Sequence, residues 1–227
     1  ILYTFYVPPR KTIFSNNEYY HIFNRTVGRQ TVFIEKRNIQ KALEIIDFYR
    51  YPTYISLSHF LNSSKEIRKN ILETRRGKKP LVELHAFSLM PNHHHFVLQQ
   101  IKDNGISTFI SNFQNSFAKF FNFKFKRHGT LFTNPFKAVR IETEEQFLHV
   151  TRYVHLNHVT AFLVDIEDLA NEPRTSFGTY VGKCRYEFVE TADVMEYFKK
   201  PEAYRSFVFD QVDYQKKLKE LEDFLLE

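Results

Sequence analysis

The 227-residue sequence has a single cysteine, Cys184, so no internal disulfide framework can staple it, and a reducing compartment suits it. No apolar run approaches the roughly 18 residues that a membrane-crossing helix needs. The first residues, ILYTFYVPPRKT, lack a basic segment leading into a long apolar one, so no secretory signal is expected. Only six glycines occur, and none belongs to a phosphate-cradling loop of the Walker type, which argues against nucleotide-driven chemistry. Internal repeats and low-complexity segments are also missing.

What is present is bulk for a core. Apolar residues make up 43%, and 25 Phe and 13 Tyr supply large side chains, enough for one substantial folded unit. The formal charge of +6 favours an anionic partner without naming it. Residues 65–79, KEIRKNILETRRGKK, hold seven basic and two acidic residues, whereas residues 210–227 hold three basic and six acidic ones. Such a basic run reads equally as a binding patch or as a solvated face.

Patterning gives an order of elements. YYHIFNR (19–25) alternates as a strand, and residues 35–50 carry Ile39, Ala42, Leu43, Ile46 and Tyr49 at helical spacing. Residues 51–80 read as a basic insertion. LVELHAFSLM (81–90) and HHHFVLQQI (93–101) read as antiparallel strands across a Pro-Asn turn. A helix is expected from Gly105 to near Gly129, with Ile106, Phe109, Ile110, Phe113, Phe117, Phe120 and Phe121 on its apolar stripe. Residues 131–141 look like a strand with Pro135 at an edge or bulge. Thr143 with Glu145 and Gln146 opens a capped helix over 143–159. This order predicts an α+β fold: a ferredoxin-like split βαβ antiparallel sheet with helices packed on it, plus a C-terminal helical extension. The division expected is a domain over 1–182, insertion included, and an extension over 183–227.

The segment MPNHHHFVL (90–98) is chemically the most pointed. Strand alternation puts His93 and His95 on one face and His94 on the other. Two neutral imidazoles on one face can share a metal ion, although histidines at a strand start can equally just hydrogen-bond or face solvent. A structural zinc would need more His or Cys ligands than this spacing offers.

YYHIFNR, HAFSLMPNHHHFVL, FKAVRI and RYVHLNHVTAFLV occur in the order found in IS200-like transposases, and the chain most resembles the REP-associated tyrosine transposases of the HUH endonuclease superfamily over about residues 19–182. The resemblance implies a divalent ion, Mg²⁺ or Mn²⁺, on His93 and His95, with Asn157 completing the site. His94 departs from the family pattern, whose middle position is apolar. It implies Tyr153 as the nucleophile, and the i, i+4 spacing of Tyr153 and Asn157 puts both on one helical face. His155 is read as structural, and His158 stands where relatives carry proline. The activity implied is cutting and rejoining of single-stranded or hairpin DNA through a 5′-phosphotyrosine. Such chemistry stores the bond energy in the adduct and needs no ATP. With a reference pKa near ~10, the phenol must lose a proton to attack.

DNA contacts are expected from Arg75, Arg76, Lys78 and Lys79, and from Lys119, Lys124, Lys126 and Arg127 in the Phe-rich helix, most of whose Phe residues belong to the core. A cytoplasmic protein, nucleoid-associated when bound to DNA and without a membrane partner, follows. So does a monomer, with a dimer as the alternative, because the stripe Val212, Leu218, Leu221 and Leu225 is too short for a confident coiled coil. Two rival functions remain: a hairpin-binding module of the same fold without catalysis, and a hydrolase in which the histidines activate water.

Overall fold

Buried and half-buried residues alternate along Tyr19–Arg25, which forms β1 at the interior of a four-stranded antiparallel sheet of order β2-β3-β1-β4. The computed structural model of the chain describes residues 12–75 and 77–216. Two strands, β2 (Val82–Met90) and β3 (His93–Gln100), form a hairpin across Pro91–Asn92, and β4 (Lys137–Ile141) closes the other edge. The helix α1 (Lys36–Tyr49) crosses from β1 to β2, and α4 (Gly105–Lys124) crosses from β3 to β4. This is the expected ferredoxin-like split βαβ arrangement. One face is covered by the apolar stripes of α1 and α4; the other takes α5 (Glu144–Thr160).

Thr143 caps α5 as anticipated, its Oγ1 accepting from the Gln146 N–H at 3.1 Å, while the Gln146 side chain accepts from Glu142 N–H instead of closing the box on Thr143. At Gly105 an added Cβ would collide with the Leu81 carbonyl, so α4 starts where only glycine fits.

Residues 51–80 carry α2 (Leu57–Asn62) and α3 (Lys65–Arg75), with Ser56 capping α2. Two expectations need correction. The long helix stops at Lys124, not near Gly129. Lys126 turns left-handed at φ 49°, and Arg127 folds back onto Asn122 Oδ1 and the Thr130 carbonyl, both at 2.9 Å. The strand expected at 131–141 is regular only over Lys137–Ile141; upstream, Phe132 makes an isolated antiparallel bridge to Thr26, and Asn24 binds Thr133 through both its amide ends. After α6 (Phe177–Tyr180), α7 (Ala192–Met195) and α8 (Pro201–Phe209) bury Val194, Tyr204 and Val208 in the core, and Val189 bridges Leu84 on β2. Val212 is buried against that core, while Leu218, Leu221 and Leu225 lie outside the described residues.

His94 is fully buried among Phe96, Phe113 and Phe132, with no hydrogen-bond partner for either ring nitrogen among the described residues. Burial lowers its pKa to about 3. An unfolded histidine titrates near ~6.5, so below that pH the unfolded chain binds a proton the folded one refuses. Stability attributable to this group is therefore lost as pH falls from about 6.5 toward 3, at up to about 1.4 kcal/mol per pH unit. His94→Leu should leave the melting temperature at pH 7 unchanged or raised, since two unpaired polar atoms disappear. Its melting temperature should also fall less steeply with acid than that of the parent in thermal melts from pH 7 to 5.

Candidate active site

Three rows of side chains cross the face of the sheet that α5 covers. Directly paired residues share a face, so Met90, His93 and Arg25 form one row, and Ser88, His95, Phe23 and Lys137 the next. Val97, His21 and Val139 form the third. Over this surface lies Tyr153 on α5. Its ring meets His95 edge-on at 5.8 Å and His21 at 5.9 Å between centroids, and 41% of it is exposed. The sequence-derived residues Tyr153, His93 and His95 thus come together, with the His93 and His95 rings 5.1 Å apart.

The helix is held in place by polar bonds that proline could not make. The His158 Nε2–H donates to the Leu89 carbonyl at 3.3 Å, so its Nδ1 accepts from the Ser88 hydroxyl at 3.2 Å. His155 lies fully buried between Tyr204 on α8, at 2.7 Å, and Ser176, at 2.8 Å, in keeping with its structural reading. Arg152 donates to the Phe207 carbonyl and stacks over the Phe207 ring at 4.3 Å.

Two features suit the histidine pair to a divalent ion. The Nδ1 of His93 lies 2.7 Å from Asn92 Oδ1, which only accepts, so Nδ1 carries the hydrogen and Nε2 the lone pair. Burial, reinforced by the neighbouring imidazoles, keeps His95 neutral far below the ordinary histidine range, and burial lowers His21 to about 4. Asn157 is buried one turn after Tyr153, and its Nδ2 donates to the Val154 carbonyl at 3.5 Å, so its oxygen is the end able to ligate. Among the described residues no three His, Cys, Asp or Glu side chains are grouped to hold a metal.

Sequence reading missed His21, Phe23, Arg25 and Lys137. Alternation in YYHIFNR places 21, 23 and 25 on a common face, but only the pairing of β1 with β3 shows which face. The expected DNA contacts fare unevenly. Lys78, Lys79, Lys119 and Lys126 are exposed. Arg75 instead stacks on Phe48 at 4.3 Å, Lys124 binds Glu35 and Asn38, and Arg127 closes the end of α4. Arg76 lies outside the described residues. Lys119 belongs to α4, on the opposite side of the sheet from Tyr153.

Residues 59–157 match the family of IS200-like transposases, a stretch that includes His93, His95, Tyr153 and Asn157. Among solved structures, the chain is similar in fold to a REP-associated tyrosine transposase bound to a REP hairpin, at 12% identity and a TM-score of 0.51, covering 79% of this chain and 95% of the other. A putative transposase from Deinococcus radiodurans shares 15% identity over 64% of this chain and 94% of its own, at a TM-score of 0.36. No curated protein matches the chain. Among the described residues no helix is long and apolar enough to cross a membrane.

If the histidine pair holds a metal ion, binding discriminates among the three histidines. His93→Ala and His95→Ala should each weaken Mn²⁺ binding strongly, and His94→Leu should leave it near the parental value, as read by electron paramagnetic resonance of free Mn²⁺. Equal losses in all three would show that facing on the strand does not decide ligation.

Proposed function

We propose that the chain is a metal-dependent, single-strand-specific DNA transesterase that cuts and rejoins hairpin-bearing DNA through Tyr153. The observation that carries this reading is the half-exposed phenol of Tyr153 standing edge-on over His95 and His21. The fold it shares with a transposase described as bound to a REP hairpin supports hairpin DNA as the substrate. Mg²⁺ or Mn²⁺ on His93, His95 and Asn157 would offset the negative charge of a phosphate oxygen.

The Tyr153 oxygen loses its proton and bonds to phosphorus. The bond from phosphorus to the 3′ oxygen breaks, and that oxygen leaves as a 3′-hydroxyl. The 5′-phosphotyrosine keeps the bond energy, so attack by a 3′-hydroxyl reverses the step and rejoins the strand. Packing of α5 against β2 and β3 orients the phenol toward the metal face, and the bonds of Arg152, His155 and His158 prevent the helix from rotating. On the substrate side, Arg25 and Lys137 place positive charge beside the histidines, where phosphates can be positioned without sequence being read. The contact of Tyr153 with His95 and His21 supports a site made within one chain, and hence a monomer.

Incubation of the protein with single-stranded hairpin DNA and Mn²⁺ should yield a covalent adduct on a denaturing gel, and Tyr153→Phe should abolish adduct and cleavage while leaving DNA binding intact. Cleavage without an adduct would point to a water-activating hydrolase, and binding without cleavage to a hairpin-binding module. Mixing Tyr153→Phe with a His93→Ala/His95→Ala protein should restore nothing; recovered cleavage would mean a site shared between two chains. Lys137→Glu with Arg25→Glu should lower DNA affinity and flatten its salt dependence, because fewer counterions are released.

A further inference from the structure

We propose that His21 is a positioning residue for His95: it accepts the Nδ1–H of His95 and so fixes the tautomer whose Nε2 is the metal donor. The inference rests on the reading of His93, His95 and Asn157 as a metal site. His21 belongs to β1, outside the stretch that matches the transposase family. Its Nε2 lies 3.0 Å from His95 Nδ1, and the two rings are 5.2 Å apart with planes 19° from parallel.

A neutral imidazole carries one hydrogen and one lone pair, on different nitrogens. Were His21 the donor, His95 Nδ1 would hold the lone pair and Nε2 the hydrogen, and the nitrogen turned away from His21 could not ligate. Only donation from His95 to His21 leaves Nε2 of His95 as a ligand, and it puts the hydrogen of His21 on its own Nδ1. His93 shows the same pattern by independent means, because Asn92 Oδ1 at 2.7 Å can only accept from its Nδ1. Both imidazoles of the pair are thus tied at Nδ1. The outer partner of a metal-bound histidine is commonly a carboxylate, a backbone carbonyl or water. An imidazole in that place fixes the tautomer while adding no negative charge to the site. The ring also packs edge-on against Tyr153, so one side chain sets the plane of His95 and part of the seat of the phenol.

Two measurements test this. Imidazole ¹⁵N NMR of the full chain without metal reads the tautomers directly: hydrogen on Nδ1 in both His95 and His21 supports the proposal, and hydrogen on Nε2 of His95 overturns it. Mn²⁺ titrations then compare the parent with His21→Phe, which keeps a ring and loses the acceptor, and with His21→Gln, whose Oε1 can accept the same hydrogen. His21→Phe should weaken Mn²⁺ binding about 10- to 100-fold, and His21→Gln should recover most of the loss. Parental affinity in His21→Phe, or a Gln variant as weak as the Phe variant in a folded protein, overturns it. If His95→Ala itself binds Mn²⁺ like the parent, the metal-site reading fails first and this inference falls with it. If His21→Phe does not fold, the tautomer measurement on the parent decides.

Discussion

The register of β1 against β3 governs the site. Phe23 stands opposite His95 and Arg25 opposite His93, and a slip of one residue would send every side chain of β1 to the other face. His21 would then leave His95 for the side under α4, and Ile22 would be driven toward Tyr153. The apolar residues Tyr20 and Ile22, fully buried on the far face, are what forbid the slip. Core packing on one side of the sheet thus fixes the chemistry on the other.

The second requirement is that α5 keep its rotation. An α-helix turned by one residue moves a side chain through about 100°, which would carry Tyr153 off the imidazoles. Three consecutive turns of α5 are therefore bonded to other elements. Arg152 meets α8, His155 meets Ser176 and Tyr204, and His158 meets β2. These buried polar bonds are directional where apolar contact is not, and so suit a helix whose azimuth matters. Two of these contacts come from α8, from Tyr204 and Phe207, so α8 helps hold α5 over the candidate site.

Much of this was legible in the sequence, for reasons that also mark the limits. Period-two and period-3.6 patterns located β1, β2, β3, α1 and most of α4, and alternation alone separated His94 from its neighbours. The end of α4 was not legible because Phe123 and Phe125 prolong the aromatic run although Phe123 is 89% exposed; an apolar residue signals burial only when a partner surface is there. Leu131 and Phe132 are buried and pair with the end of β1 only through an isolated bridge, so the strand signal there is real but the regular strand begins at Lys137. Arg75, Lys124 and Arg127 resemble solvent-facing charges in a linear string, and only the fold supplies Phe48, Glu35 and the Thr130 carbonyl to engage them. His21 escaped notice because its meaning depends on a strand more than seventy positions away.

The outer edge of β2 is sealed late in the chain. Thr175 bridges Ser88, Val189 bridges Leu84, and the Glu190 N–H donates to the Leu84 carbonyl at 2.8 Å. During synthesis from the N-terminus, β2 and β3 can pair well before residues 174–190 exist. Until then the nascent chain presents an apolar strand with unpaired backbone groups, the sort of edge that recruits a second copy. Translation speed and chaperone access while residues 174–190 are being made should therefore govern how much of the protein reaches the native state.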